Sequence, residues 1–198
     1  MTTVLLTGFE PFGGDAVNPS GEAVHRVASR WEGPGMLVTA VLPVTFAGAA
    51  GRLKELLAEH RPDIVIAAGL AGGRAAIGVE RVAVNLVDAR IPDNDGEQPV
   101  DVPSVPGAAA AHFATLPVKE IARRIDAAGL PAEVSYSAGT FVCNHVFFTA
   151  LEAAASGTAP DTSMSRGRRS TRRRPVPRRF RSPTSPEGLR SPCAPASR

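Results

Sequence analysis

The sequence predicts an α/β fold, a three-layer sandwich around a mainly parallel central sheet that is incomplete toward its carboxyl end. Three observations carry this. Short apolar runs ending at glycine or proline, such as VLLTGF, MLVTAVLP and DIVIAAG, alternate with segments of helical spacing. Alternation of this kind builds parallel strands joined by helical crossovers, which cover both faces of a sheet. Beyond residue 160 the alternation stops, and Arg, Pro and Ser take over.

VLLTGF reads as a buried strand. NPSGEAVHRVASR follows as a helix with Asn18 at the N-cap and Pro19 at the first helical position, where the missing N–H would have had no helical partner. MLVTAVLP is a second strand. Phe46, Ala49, Ala50, Leu53, Leu56 and Leu57 then recur at helical spacing, and Pro62 stops that helix before the strand DIVIAAG. IGVERVAVNLVDA is one further β-rich run and RIPDNDGEQP a polar loop. A helix near Pro117 to Ala128 precedes the strand AEVSYSA. The last helix opens near Cys143, with Phe147, Ala150, Leu151 and Ala154 on one face.

With 198 residues, 43% of them hydrophobic, the chain can bury one sizeable core. One domain over residues 1–160 is expected, followed by a tail over 161–198 that reads as disordered. No stretch approaches the roughly 20 apolar residues of a membrane span, and MTTVLLTGFEPFGG lacks the basic region and cleavage pattern of a signal peptide, so a cytoplasmic location without a membrane partner is expected. Cys143 and Cys193 are too few for a disulfide framework and favour reduced thiols. The formal net charge of +3 conceals two unlike parts. After residue 160 there are eleven Arg against one Asp and one Glu; before it, eleven basic residues face seventeen acidic ones. The basic balance belongs to the tail.

In open α/β sheets ligands gather at the carboxyl ends of strands, where GFEPFGGDAVNPS, GLAGGRAAIGVE and SAGTFVCN are predicted to lie. Cys143 stands at a helix entrance. The partial positive charge there stabilises a thiolate, and first-turn N–H groups stabilise the oxyanion formed as an acyl carbon becomes tetrahedral. Cys143 is thereby a candidate nucleophile for acyl transfer, although a lone cysteine is more often a small buried hydrophobe. GFEPFGG lacks the lysine of G-x-x-x-x-G-K-[ST] and the spacing of G-x-G-x-x-G, so nucleotide binding is weakly supported.

Three segments, LLTGFEPFGGDAVNPS, AGGRAAIGVERVAVNLVDARIPDNDG and SAGTFVCNHVFF, together resemble the type I pyroglutamyl peptidases, also called pyrrolidone-carboxylate peptidases, over about residues 3 to 155. The resemblance implies a cysteine peptidase that removes N-terminal pyroglutamate (5-oxoproline) from peptides with a Cys, His, Glu triad and neither metal nor cofactor. It implies Cys143 as nucleophile and Glu80, in GVERV, as the acid that orients the histidine. Phe9, Phe12, Phe141 and Val142 would hold the lactam ring, with Asn18 and Arg90 near the substrate's polar groups. Leu70 departs from the family, which commonly has Gln before AGGR. A homotetramer is implied by resemblance alone. The lactam is compact, flat and neutral, so an aromatic slot with a few hydrogen bonds suits it.

The base is the difficulty. Histidines occur at 25, 60, 112 and 145. Two helical residues differ by about 200° in direction, so His145 should point away from the Cys143 thiol. His25 and His60 fall in predicted helices, and His112 in a loop region matching no family position. The family histidine belongs to a strand motif, HVPY or HVPW, some twenty residues after the cysteine, where this chain reads DTSMSRGRRSTRRRPVPRRF. Asp161 to Ser170 can be written GAC ACG TCC ATG TCC CGT GGG CGC CGG AGC; reading from the third base gives His-Val-His-Val-Pro-Trp-Ala-Pro-Glu. The motif returns, with the histidine codon straddling Ser163 and Met164, and the single codon of Met fixes the AT of that triplet. A frameshift is therefore expected over 161–198, leaving a poorly stable chain with little or no peptidase activity. Two other readings stand beside it: a catalytically dead α/β binding protein, and nucleic-acid binding through RGRRSTRRRPVPRR, which lacks aromatic interleaving and is the less favoured.

Overall fold

A computed structural model describes residues 1–157 and the backbone of Asp161–Gly167. Strand β1 (Thr3–Phe9) leads into α1 (Pro19–Ala28), and β2 (Met36–Leu42) into α2 (Phe46–His60). After β3 (Ile64–Leu70) come the short strands β4 (Ile77–Glu80), β5 (Val82–Val84) and β6 (Ala111–Phe113). Helix α3 (Val118–Ala127), strand β7 (Ala132–Ser135), helix α4 (Val142–Ala155) and strand β8 (Asp161–Gly167) complete the described order.

Six strands form the central sheet in the order β2-β1-β3-β8-β4-β7, while β5 and β6 make a separate antiparallel pair. Neighbours run parallel except β4 and β8, so β4 and β7 point opposite to the rest. Leu5, Val65 and Ala67, all at 0% exposure, pack on one face against Phe46 and Leu53 of α2 and Val146, Phe147 and Phe148 of α4. Gly8, on the opposite face by strand alternation, meets Ser20 and Val24 of α1, and Val79 packs with Val118 and Ala122 of α3. This is the expected three-layer, mainly parallel arrangement. None of the described helices is long and apolar enough to cross a membrane.

The run IGVERVAVNLVDA is broken at Arg81: β4 joins the main sheet, whereas β5 leaves it to pair with β6. The three predicted loops do follow carboxyl ends, those of β1, β3 and β7, but the reversal of β4 and β7 puts these ends on two sides of the sheet. Those after β1 and β3 leave carboxyl ends on one side, while the segment toward Cys143 leaves β7, which runs the other way. The disorder expected from residue 161 onward is likewise corrected for Asp161–Gly167, which form β8 between β3 and β4. Two strands flanking a gap offer backbone N–H and C=O groups on both sides, and a proline-free segment can pair with both irrespective of its side chains. Residues 168–198, with Cys193 and most of the Arg-rich segment, lie outside the described residues.

Candidate active site

The first loop is fixed by a close approach. A Cβ on Gly8 would stand 2.5 Å from the Ser20 carbonyl oxygen, so only glycine lets α1 seat directly on β1. Ser20 Oγ then accepts the Phe9 N–H at 3.0 Å. Asn18 caps α1: its Oδ1 accepts from the Ser20 N–H at 3.1 Å and from Ser20 Oγ at 2.8 Å, and its Nδ2 donates to the Glu10 carbonyl at 2.8 Å. Glu10 Oε1 accepts from the Val44 N–H (3.2 Å) and Asn94 Nδ2 (3.0 Å), tying together three loops distant in sequence.

Cys143 is the second residue of α4, half-buried, and the helix closes its first bond from the His145 N–H to the Phe141 carbonyl at 3.1 Å. Thr140 is stapled to Asp88: the Asp88 N–H donates to the Thr140 carbonyl at 3.0 Å, and Thr140 Oγ1 donates to the Asp88 carbonyl at 2.8 Å. Asn144 is fully buried. Its Oδ1 accepts from the Val84 N–H at 3.1 Å, and its Nδ2 donates to the carbonyls of Val84 (2.8 Å) and Leu86 (3.1 Å). Sequence reasoning missed Asn144. Its signal was a polar side chain beside the candidate nucleophile, within the apolar run of Val142, Val146 and Phe147.

A cavity of about 430 Å3 opens beside Cys143. Phe9, Phe12, Phe141 and Val142 wall it, Asn18 and Arg90 border it, and Leu70, the noted departure from the resemblance, adds an apolar surface. Phe9, only 2% exposed, serves core and wall together. The Asn18 amide, though on the wall, is engaged by its capping bonds. Glu80 is not a solvent-facing strand residue: it is 0% exposed, and it does not line the cavity. Arg74 links the two. It borders the cavity, and its Nη1 stands 4.0 Å from Glu80 Oε1 and 3.0 Å from Ser135 Oγ. A Cβ on Gly78 would come within 2.9 Å of that same nitrogen, so glycine here makes room for the guanidinium.

No histidine among the described residues borders this cavity. His145 turns away as helix geometry requires: its Nδ1 pairs with Ser104 Oγ at 2.6 Å and its ring meets Phe46 edge-on at 5.9 Å. Burial pushes its pKa below the ordinary value, with nearby Lys54 adding and a hydrogen bond to the Phe46 backbone opposing. His112 lies in β6 rather than a loop, its Nε2 2.6 Å from Glu152 Oε2 and its ring over Phe148. His25 and His60 occupy the last turns of α1 and α2. The residue that faces Glu80 across the β4–β8 ladder is Met164, which also opposes Ala67 of β3.

The pyroglutamyl peptidase family model matches residues 2–163. The chain is 54% identical over 148 residues to a pyrrolidone-carboxylate peptidase of Clavibacter michiganensis, covering 75% of this chain and 70% of that one. Its structure is similar to pyroglutamyl peptidase I of Bacillus amyloliquefaciens, at a TM-score of 0.79 and 45% identity, over 84% of this chain and 81% of the other. It is similar in the same way to the pyrrolidone carboxyl peptidase of Thermococcus litoralis (TM-score 0.80, 44% identity, 84% and 76% covered). An α/β sandwich with a cysteine at a helix entrance over an aromatic cavity, matched by the family across most of its length, leaves one assignment: this chain belongs to the pyroglutamyl peptidases.

Proposed function

We propose that this site is built to remove an N-terminal pyroglutamyl residue from peptides, and that the 198-residue chain lacks the base the reaction needs. The observation that carries both halves is the β4–β8 register. Directly opposed residues project from the same face of a sheet, so position 164 shares the face of Glu80 and Ala67, onto which α4 with Cys143 packs. A base standing there would have Glu80 beside it and the thiol above it. The residue there is Met.

The frame arithmetic leads to the same position by an independent route. If one base is missing upstream of residue 161, each codon of the restored frame takes the number of the residue in which it ends. The histidine triplet formed from the last base of Ser163 and the first two of Met164 is then residue 164. The family match, which ends at 163, and the excess of Arg beyond it support the same break.

With a histidine at 164, the imidazole draws the Cys143 proton while Glu80 fixes its orientation. The thiolate attacks the carbonyl joining pyroglutamate to the next residue, and N–H groups at the α4 entrance stabilise the oxyanion. The imidazolium protonates the departing amine, leaving a thioester, and water activated by the same base releases pyroglutamate. Phe12 and Phe141 hold the flat lactam, and Arg90 meets its polar edge. The proposal includes action in the cytoplasm without a cofactor and as a homo-oligomer, a tetramer in the resemblance.

The test is Met164→His. General-base catalysis contributes roughly 10²–10⁴-fold, so hydrolysis of a pyroglutamyl anilide should rise by at least about 100-fold over the unmodified chain and vanish when Cys143→Ala is added. A gene restored to the other frame by one inserted base is the second arm. Hydrolysis by the unmodified chain at the rate of an intact relative would overturn the missing base; inactivity of both Met164→His and the restored gene would overturn the peptidase reading.

A further inference from the structure

We propose that His145 is a positioning residue for the lactam slot: anchored to Ser104, it is the outer buttress of an aromatic stack whose inner end lines the cavity. This rests on the peptidase reading and deepens it. The stack runs from His145 to Phe46 (centroids 5.9 Å apart, edge-on), from Phe46 to Phe141 (5.3 Å, edge-on) and from Phe141 to Phe12 (5.7 Å, tilted). Only its last two rings border the cavity. Their positions are therefore set from behind.

Each outer member is tied to a polar side chain from another part of the chain. The His145 ring rides on the first turns of α4 and reaches Ser104 Oγ, 8% exposed, in the segment between β5 and β6. Phe46 starts α2, and its N–H donates to Asp93 Oδ2 at 2.9 Å. The Asp93 carboxylate is 7% exposed and also accepts from the N–H groups of Asp95 and Glu97 at 2.9 Å each. Aromatic pairs in these geometries contribute beyond the area they bury, and an edge-on ring blocks sliding of its neighbour. Removing the imidazole leaves Phe46 without its outer support, and Phe141 and then Phe12 acquire freedom that a flat ligand must take away again on binding. The effect belongs to recognition of the lactam and leaves the Cys143 thiol alone, since His145 turns away from the cavity.

The experiment uses the full 198-residue chain and needs no turnover. Binding of pyroglutamyl-alaninamide is measured by NMR titration, alongside the rate of iodoacetamide alkylation at Cys143 followed by peptide mapping. His145→Ala should weaken binding about tenfold while alkylation changes less than twofold. His145→Asn, which keeps a polar atom toward Ser104, and His145→Phe, which keeps a ring against Phe46, should each recover part of the loss. Binding within twofold of the unmodified chain in His145→Ala, or binding and alkylation falling together, overturns the proposal. Absence of binding by the unmodified chain overturns the lactam reading and this inference with it, an outcome distinct from binding that ignores His145.

Discussion

Asn144 decides where Cys143 stands. Its amide bonds the backbone of Val84 on both sides and the Leu86 carbonyl, joining the first turn of α4 to β5 across some sixty residues of sequence. In Asn144→Ala three hydrogen bonds go, and the groups they served lose their partners in a part-buried place. An unsatisfied buried donor or acceptor costs about 1–3 kcal/mol, and relaxation recovers part of it, so a loss of about 2–4 kcal/mol is expected in urea unfolding. The helix entrance loosens at the same time. Alkylation of Cys143 should therefore slow in Asn144→Ala, and an unchanged rate together with unchanged stability would remove Asn144 from this role. Glu80 teaches a complementary lesson. Its motif singled it out, but only burial at 0% exposure and the Arg74 guanidinium 4.0 Å away set it apart from a solvent-facing strand residue.

At the scale of elements, what was legible in the sequence was what local chemistry decides. Asn18 before Pro19 caps α1 because capping needs only neighbours, and the helical spacing from Phe46 to Leu57 is the buried face of α2. The break between β4 and β5, the existence of β6 and the pairing of β8 were not legible, because each depends on which distant strand supplies the other half of a ladder. The site divides likewise: Cys143 and its aromatic neighbours stand in motifs, whereas the Arg74–Glu80 approach and the Thr140–Asp88 staple arise from long-range contact. The meeting of α4, α2 and the segment carrying Ser104 at His145 has a pH signature. Burial lowers the folded-state pKa below the ordinary histidine value of 6.5, so between the two values the unfolded chain binds more protons and stability rises with pH. The contribution is complete above about 6.5 and is lost as pH falls toward the folded-state value. Urea midpoints should decline from pH 7 to 5 with a slope from this group of up to about 1.4 kcal/mol per pH unit, and His145→Asn should remove that part. Equal slopes in the two proteins would show that other groups carry it.

For the whole molecule the two faces of the sheet are unequally covered. Under α2 and α4, Leu5, Val65 and Ala67 are at 0% exposure, whereas Leu6, Ile64, Ile66 and Ala68 on the other face are only half-buried. The asymmetry follows from sheet order. Helix α1 lies over β1 and its neighbours and α3 over β4 and β7, so the half-buried residues of β3 fall between the two helices, beside β8. Apolar area left to water is stabilisation forgone, about 25 cal/mol for each Å2. Completing the burial of four such side chains at about 1 kcal/mol each amounts to about 4 kcal/mol, or about 8–16 °C in Tm for a domain of this size. A gene returned to the other frame after residue 160 should therefore give a product that melts about 10 °C higher than the 198-residue chain in calorimetry and binds less of the dye ANS. The two readouts must move together, because covering an exposed apolar stripe removes dye sites and adds stability in one step. A restored protein with the same Tm and the same dye binding would mean that the stripe between α1 and α3 gains nothing from the other frame, and the frame break would lose its structural argument.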